Sequence, residues 1–124
     1  MLGTFVLSTG FYDAYYNKAQ QVRKLLTDQV SFIFNKADAV ILPTSPVTAF
    51  NIGQKDKDPV AMYLADIFTV FANLTGLPAI SIPLYKHSNG MPFGLQIMTN
   101  KAEELTLLQI SQMLMQQNKV VNNS

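Results

Sequence analysis

The sequence predicts an α/β fold in which a small sheet of few strands packs between helices. Segments whose apolar residues recur every three or four positions alternate with short β-rich runs that end at proline or glycine, a pattern typical of layered α/β structures. The chain has 124 residues, enough for one domain and too few for two. We therefore expect residues 1–124 to form a single domain or a fragment of one, with a frayed tail at 117–124.

The first predicted helix runs from Thr9 to Asn35. Steps of three or four residues place its apolar side chains on one face, namely Tyr15, Ala19, Val22, Leu26, Val30 and Ile33. The stretch "ADAVILP" then predicts a short buried strand at 39–42, which Pro43 ends. Residues 51–58, "NIGQKDKD", are polar and charged, so they predict a solvated loop.

A second helix is predicted to begin at Asp58 and Pro59, because aspartate caps a helix and proline fits its first turn. We expect it to end near Leu74, since Gly76 follows. The runs "AISIPL" and "PFGLQIM" predict a hairpin joined through "KHSNG", and "NKAEELTLLQISQMLMQQ" predicts a last helix. Three strands leave two exposed edges, so this sheet is expected to be a piece of a larger one.

The composition narrows the class of protein. Hydrophobic residues make up 48% of the chain and charged residues only 14%, so more of the surface than usual must be buried, for example against another domain or chain. Nine basic and eight acidic residues nearly cancel, which argues against binding to nucleic acid or to a membrane surface. Without cysteine, a signal peptide or a membrane-spanning run, a cytoplasmic protein is the default expectation.

One carboxylate, Asp66, lies in the apolar run "YLADIFTVFANL" of the second helix, which the pattern predicts to be buried. Asp66, Thr69 and Asn73 fall at i, i+3 and i+7 and would share one face, which Tyr63 at i−3 extends. A narrow polar line on an apolar helix indicates a helix that lines a pocket. The alternative, which spacing alone favours, is an aspartate bonded to the backbone amides of a neighbouring loop.

Other candidate residues carry weaker signals. Thr44 and Ser45 follow a strand end, where α/β folds place ligands, although "LPTSP" equally predicts a turn. The chain contains no serine on a glycine-rich elbow, no phosphate-binding glycine loop and no cluster of metal-ligating residues. These absences argue against an enzyme that works on its own, and they predict no catalytic residue and no metal site in this chain.

Several stretches together resemble a known family. "FANLTGLPAISIPL", "NGMPFGLQIM" and "DAVILPTSPVTAFNIG" are similar to the C-terminal portion of amidase-signature proteins, and "LGTFVLSTGFYDAYYNKAQQVR" is similar to the A subunits of tRNA-dependent glutamyl/aspartyl amidotransferases. The resemblance implies one α/β domain with a large mixed sheet, of which this chain supplies the last strands. The family catalyses with two serines and a lysine, and all three would lie N-terminal to this chain.

The resemblance also implies roles and partners. Asp66 matches the aspartate that holds the α-ammonium group of substrate glutamine, from which the A subunit releases ammonia. Expected partners are the B and C subunits together with the N-terminal part of the same subunit, with no direct contact to nucleic acid or membrane. No cofactor is expected in this chain, because the B subunit uses the ATP and Mg²⁺. A fragment of this kind is expected to self-associate through its exposed apolar surface.

Two alternatives stay open from the sequence. The chain could be a fragment of a general amidase that hydrolyses another amide, in which case Asp66 need not meet an ammonium group. It could also be a free-standing, non-catalytic binding module, which would behave as a compact monomer.

Overall fold

A computed structural model of the chain describes residues 12–52 and 59–122. The predicted helix start at 9–11, most of the predicted loop with its cap at Asp58, and the tail residues 123 and 124 lie outside the described residues. In chain order the elements are α1 (Tyr12–Phe34), β1 (Ala39–Pro43), α2 (Pro59–Ala65), α3 (Ile67–Thr75), β2 (Ala79–Lys86), β3 (Pro92–Thr99) and α4 (Glu104–Asn122).

The strands within the described residues form one three-stranded sheet in the order β1-β3-β2. The register pairs Val40 with Met98 across β1 and β3, and Ile80 with Ile97 across β2 and β3. Both pairings are antiparallel, so this part of the chain contains an antiparallel sheet where the family resemblance implies a mixed one. The predicted α/β class is confirmed.

Each face of the sheet is covered by helices, because neighbouring residues of β3 point to opposite sides. On one face Met98 packs with side chains of α1 and α3 and of the segment that follows α3, in a cluster with Val30, Ala72 and Leu77. On the other face Ile97 packs with α4 in a cluster with Ile82, Leu84 and Leu107. The result is a three-layer arrangement with the sheet in the middle.

Helix α1 contacts the sheet only through its C-terminal half. Of the predicted apolar stripe Val30 is buried, whereas Tyr15 and Val22 are largely exposed. The Nε–H of Arg23 donates to the carbonyl oxygen of Leu74 at 2.7 Å, which ties α1 to the end of α3. The N-terminal half of α1 is more exposed to solvent than its C-terminal half, as judged from the described residues.

The predicted second helix is two helices, with Asp66 at the junction. The backbone of Asp66 has φ −101° and ψ 2°, which lies outside the α region, and its amide donates three residues back, to Tyr63, at 3.3 Å. Aspartate favours helix ends over helix interiors, which accounts for the break at this residue. As predicted, α3 ends at Gly76, which adopts the left-handed conformation with φ 69°.

The predicted hairpin is confirmed, and it contains an irregularity near its turn. The register of β2 and β3 shifts between Pro83 and Tyr85, so β2 bulges there. Beyond the bulge, the rings of Tyr85 and Phe93 stack with their centroids 5.7 Å apart. The turn closes with Gly90 at φ 81°, a value that glycine adopts without strain.

The sequence predicts a frayed tail at 117–124, and in the structure α4 continues through Asn122. The Nδ2 group of Asn118 donates to the carbonyl oxygen of Leu84 at 2.7 Å. This bond holds this part of α4 against β2. No helix of the described residues is long and apolar enough to cross a membrane.

Because β3 is the central strand, we expect truncation of Ile97 on β3 to destabilise the protein more than truncation of its cross-strand partner Ile41 on β1. Ile97 is fully buried and its partner Ile41 is 46% exposed. We expect Ile97→Ala to lower the free energy of unfolding by about 2–5 kcal/mol and Ile41→Ala by about 1 kcal/mol or less. Urea unfolding of both variants tests this, and equal losses would contradict the central role of β3.

Candidate functional site

The carboxylate of Asp66 is not used by the helix that it precedes. Asp66 is the N-cap residue of α3, yet its side chain makes no capping hydrogen bond. The backbone amides of Thr69 and Val70 both donate instead to the main-chain carbonyl oxygen of Asp66, each at 3.1 Å. An aspartate at this position usually accepts a hydrogen bond from an amide of the first turn. Within the described residues, the helix end therefore leaves both carboxylate oxygens of Asp66 for another donor.

The polar residues predicted to line up with Asp66 lie on both sides of the helix break. Tyr63 is on α2 and is 76% exposed, while Thr69 and Asn73 are on α3. The hydroxyl of Thr69 donates to the carbonyl oxygen of Asp66 at 3.0 Å, so it reinforces the same turn as the backbone. Asn73 is exposed one turn further along. The stripe is thus a path along two short helices and not one face of a continuous helix.

The expectation of a buried second helix is wrong for this chain. The apolar side chains Val60, Leu64, Ile67, Val70 and Leu74 are between 43% and 64% exposed, and Asp66 itself is exposed. Among the side chains of α2 and α3 whose burial is described, Ala72 and Thr75, near the end of α3, are the buried ones. Hydrophobicity predicted that this surface would be covered, but the residues that would cover it are not among those described.

A second polar group lies at the end of the sheet, on the face that carries Met98. The hydroxyls of Thr44 and Ser81 are hydrogen-bonded to each other, and the amide of Thr44 donates to the carbonyl oxygen of Gly94 at 2.9 Å. A Cβ at Gly94 would clash with the Ser81 oxygen and would lie 2.8 Å from the Thr44 oxygen. Glycine in the middle strand is therefore what allows the two hydroxyls to meet.

Ser45 has the turn role that "LPTSP" equally predicts. Its oxygen accepts a hydrogen bond from the amide of Val47 at 3.5 Å, which is typical of a serine turn. Together with the hairpin turn, this segment borders a cleft of about 420 Å³ lined by Pro43, Ser45, Pro46, Val47, Thr48, His87 and Phe93. Thr44 and Ser45 thus have different hydrogen-bond partners, and neither of these bonds involves Asp66.

Two further residues belong to this region, Ser81 and Gln96, and neither is among the candidates predicted from the sequence. Gln96 is 3% exposed, and its Nε2 group donates to the carbonyl oxygen of Phe68, in the first turn of α3, at 3.1 Å. The signal was present in the alternation, since Ser81 lies between Ile80 and Ile82 on the opposite side of β2. A serine that interrupts the apolar run of a predicted strand is the signal that could have identified Ser81.

The site offers one anionic group, the carboxylate of Asp66, on a turn that the Thr69 hydroxyl and backbone amides hold in place. Within the described residues, no three side chains of histidine, aspartate or glutamate lie close enough to hold a metal ion. Chemically, the exposed carboxylate of Asp66 is suited to bind an ammonium or guanidinium group through charge-assisted hydrogen bonds.

The close contact at Gly94 predicts that the loss of stability caused by adding a methyl group there depends on Ser81. We expect Gly94→Ala to lower the free energy of unfolding by about 1–3 kcal/mol, because the added methyl group displaces the Thr44–Ser81 pair. In a Ser81→Ala background the same change should cost at least about 0.5 kcal/mol less, since the nearest clashing atom is gone. Urea unfolding of the four proteins measures this coupling, and equal losses in both backgrounds would contradict it.

Comparison with known proteins places the chain in a family. A family model described as Amidase matches residues 1–108. The chain is 50% identical over 111 residues to the A subunit of glutamyl-tRNA(Gln) amidotransferase from Koribacter versatilis and 53% identical over 111 residues to that from Pelagibacter ubique. Each match covers 90% of this chain and 23% of the relative, so the chain spans about a quarter of the length of these proteins.

Solved structures agree with this assignment. The A subunit of glutamyl-tRNA(Gln) amidotransferase from Thermotoga maritima superposes with a TM-score of 0.69 at 51% identity, over 81% of this chain and 22% of that protein. The 6-aminohexanoate cyclic dimer hydrolase superposes with a TM-score of 0.68 at 28% identity, over 86% of this chain and 24% of that protein. The resemblance that the sequence motifs indicate is confirmed: this chain belongs to the Amidase family.

Proposed function

We propose that this chain is the C-terminal portion of the A subunit of a tRNA-dependent amidotransferase and forms one wall of its glutamine-binding pocket. The support for this subfamily is an identity of about 50% to the A subunits of glutamyl-tRNA(Gln) amidotransferases. In the whole subunit the pocket would release ammonia from glutamine, and Asp66 would hold the α-ammonium group of the substrate.

The single observation that carries the role of Asp66 is its unused carboxylate. Asp66 occupies an N-cap position without capping, because the amides of the first turn bond to its main-chain oxygen. Its charge is exposed at the N-terminal end of α3, where a negative charge is favoured by the helix dipole. A fixed carboxylate with both oxygens available meets the requirement for binding an ammonium group.

The other candidate residues would contribute to the pocket at separate places. Thr69 fixes the turn that carries Asp66, while Tyr63 and Asn73 lie beside it along the two helices. Thr44 would contribute through its pair with Ser81 at the end of the sheet, and Ser45 through the turn that follows. No catalytic role is proposed for any of them. The nucleophilic serine, its partner serine and the lysine would come from the N-terminal part of the subunit.

The exposed apolar surface supports an association with further protein. Side chains on α3 and α4, among them Ile67, Val70, Leu105 and Leu108, are between 44% and 70% exposed. Leaving such groups in water costs on the order of 25 cal/mol per Å² of apolar surface. We propose that the N-terminal part of the subunit covers most of this surface. The B subunit would use the ammonia with ATP and Mg²⁺, the C subunit would join the two, and the complex would act in the cytoplasm.

We expect Asp66→Asn in the full-length subunit, assembled with its partners, to weaken glutamine binding by about 1–3 kcal/mol, a rise in KM of roughly 5- to 150-fold. The asparagine keeps the size of the side chain and removes the charge that pairs with the ammonium group. Steady-state release of ammonia from glutamine measures it.

Two controls belong to this experiment. Asp28→Asn removes an exposed carboxylate from α1 and should leave the KM for glutamine unchanged. A simple aliphatic amide has no α-ammonium group, so its hydrolysis should not respond to Asp66→Asn. If the amide is the better substrate and Asp66→Asn has no effect on glutamine, the chain belongs to a general amidase instead.

The 124-residue chain alone should release no ammonia from glutamine above the buffer rate, since the proposed serines and lysine lie elsewhere. The measurement is a coupled ammonia assay on the purified chain, in which the full-length subunit serves as the positive control. Sustained hydrolysis by the chain alone would mean that its own residues form a catalytic site.

A further inference from the structure

Gln96 is a buried amide in the middle of the sheet. It lies on the central strand β3, in register with Leu42 of β1 and Ser81 of β2, and is 3% exposed. A buried amide costs free energy unless it is hydrogen-bonded. An apolar side chain of similar length would fit beside Leu42 and Met98 without that cost. The presence of an amide therefore points to the bond that it makes.

That bond joins β3 to the first turn of α3. The Nε2 group of Gln96 donates to the carbonyl oxygen of Phe68 at 3.1 Å. Phe68 is two residues from Asp66, and the amides of Thr69 and Val70 fold the same turn back onto the carbonyl oxygen of Asp66. The backbone from Asp66 to Val70 is thus one hydrogen-bonded unit, and Gln96 attaches that unit to the sheet.

Apolar packing provides little to hold this end of α3. The buried residues of α3, Ala72 and Thr75, are in its second half, where Arg23 also binds the carbonyl oxygen of Leu74 at 2.7 Å. At the first turn Ile67 is 53% exposed and Phe68 is only half-buried. The position of the N-terminal end of α3 therefore depends strongly on the hydrogen bond from Gln96.

We propose that Gln96 is a positioning residue for substrate binding: its hydrogen bond to Phe68 sets where the carboxylate of Asp66 stands relative to the sheet. This inference rests on the proposed function, in which Asp66 binds the α-ammonium group of glutamine. Gln96 does not touch the substrate. Its effect on binding passes through the first turn of α3.

The test uses Gln96→Met in the full-length subunit, assembled with its partners. Methionine has a similar length and suits the apolar neighbours, but it cannot donate to Phe68. We expect the KM for glutamine to rise about tenfold, as for loss of one buried hydrogen bond, with kcat changed less than about threefold. Ser111→Ala is the matched control. It removes a buried bond, from Ser111 to the Leu107 carbonyl oxygen at 2.7 Å, on α4, which packs on the other face of the sheet, and should leave KM unchanged.

A double variant separates positioning from a general loss of stability. If Gln96 acts through Asp66, then Gln96→Met should add less than about twofold to the KM of Asp66→Asn, because the charge to be positioned is already gone. A tenfold effect in both backgrounds would overturn the proposal. A KM for glutamine that rises in Asp66→Asn and stays unchanged in Gln96→Met would overturn it while leaving the proposed function in place.

Failure of the proposed function is recognised separately. If Asp66→Asn leaves the KM for glutamine unchanged, the role of Asp66 is lost and the role of Gln96 is lost with it. Should Gln96→Met not fold, Gln96→Asn replaces it, since asparagine keeps a buried amide but withdraws the donor by one methylene group. The same KM criteria then apply, in the single variant and in combination with Asp66→Asn.

Discussion

The pairing of β3 with strands on both of its edges is the constraint on which the rest of the structure depends. Because β3 bonds to β1 and β2, its backbone polar groups are satisfied within the sheet, and residues 96–99 are buried. The alternation of a strand then sends Ile97 to the layer of α4 and Met98 to the layer of α1 and α3. One short strand thereby organises both hydrophobic clusters.

The candidate site is a consequence of how α3 is attached to that strand. Arg23 of α1 holds one end of α3 at Leu74, and Gln96 of β3 holds the other end at Phe68. Asp66 lies two residues from Phe68, at the break between α2 and α3, and its carboxylate does not cap α3. A charged group on a mobile segment would bind weakly, since fixing it costs conformational entropy. Two side-chain anchors provide this fixation in advance, at a place where apolar packing is sparse.

The large apolar exposure and the low share of charged residues have one explanation. With 48% hydrophobic and 14% charged residues, the chain has more apolar surface than one small sheet between two layers of helices can bury. The half-exposed side chains of α2 and α3 and the outer side of α4 are where that surplus lies. The chain spans about a quarter of its relatives, and the proposed pocket accordingly has only one of its walls here.

The sequence by itself determined the elements and the family. Apolar residues that recur every two positions predicted the strands, and those that recur every three or four positions predicted the helices. Pro43 and Gly76 marked ends of these elements. Such signals can be read from the sequence because they act between near neighbours. Only the tertiary structure decided the meeting of Thr44 with Ser81 over Gly94 and the anchor from Gln96 to Phe68. It also kept α4 helical to Asn122 through Asn118 and Leu84. Those contacts join residues 28 to 37 positions apart, and no local propensity encodes which distant groups will face each other.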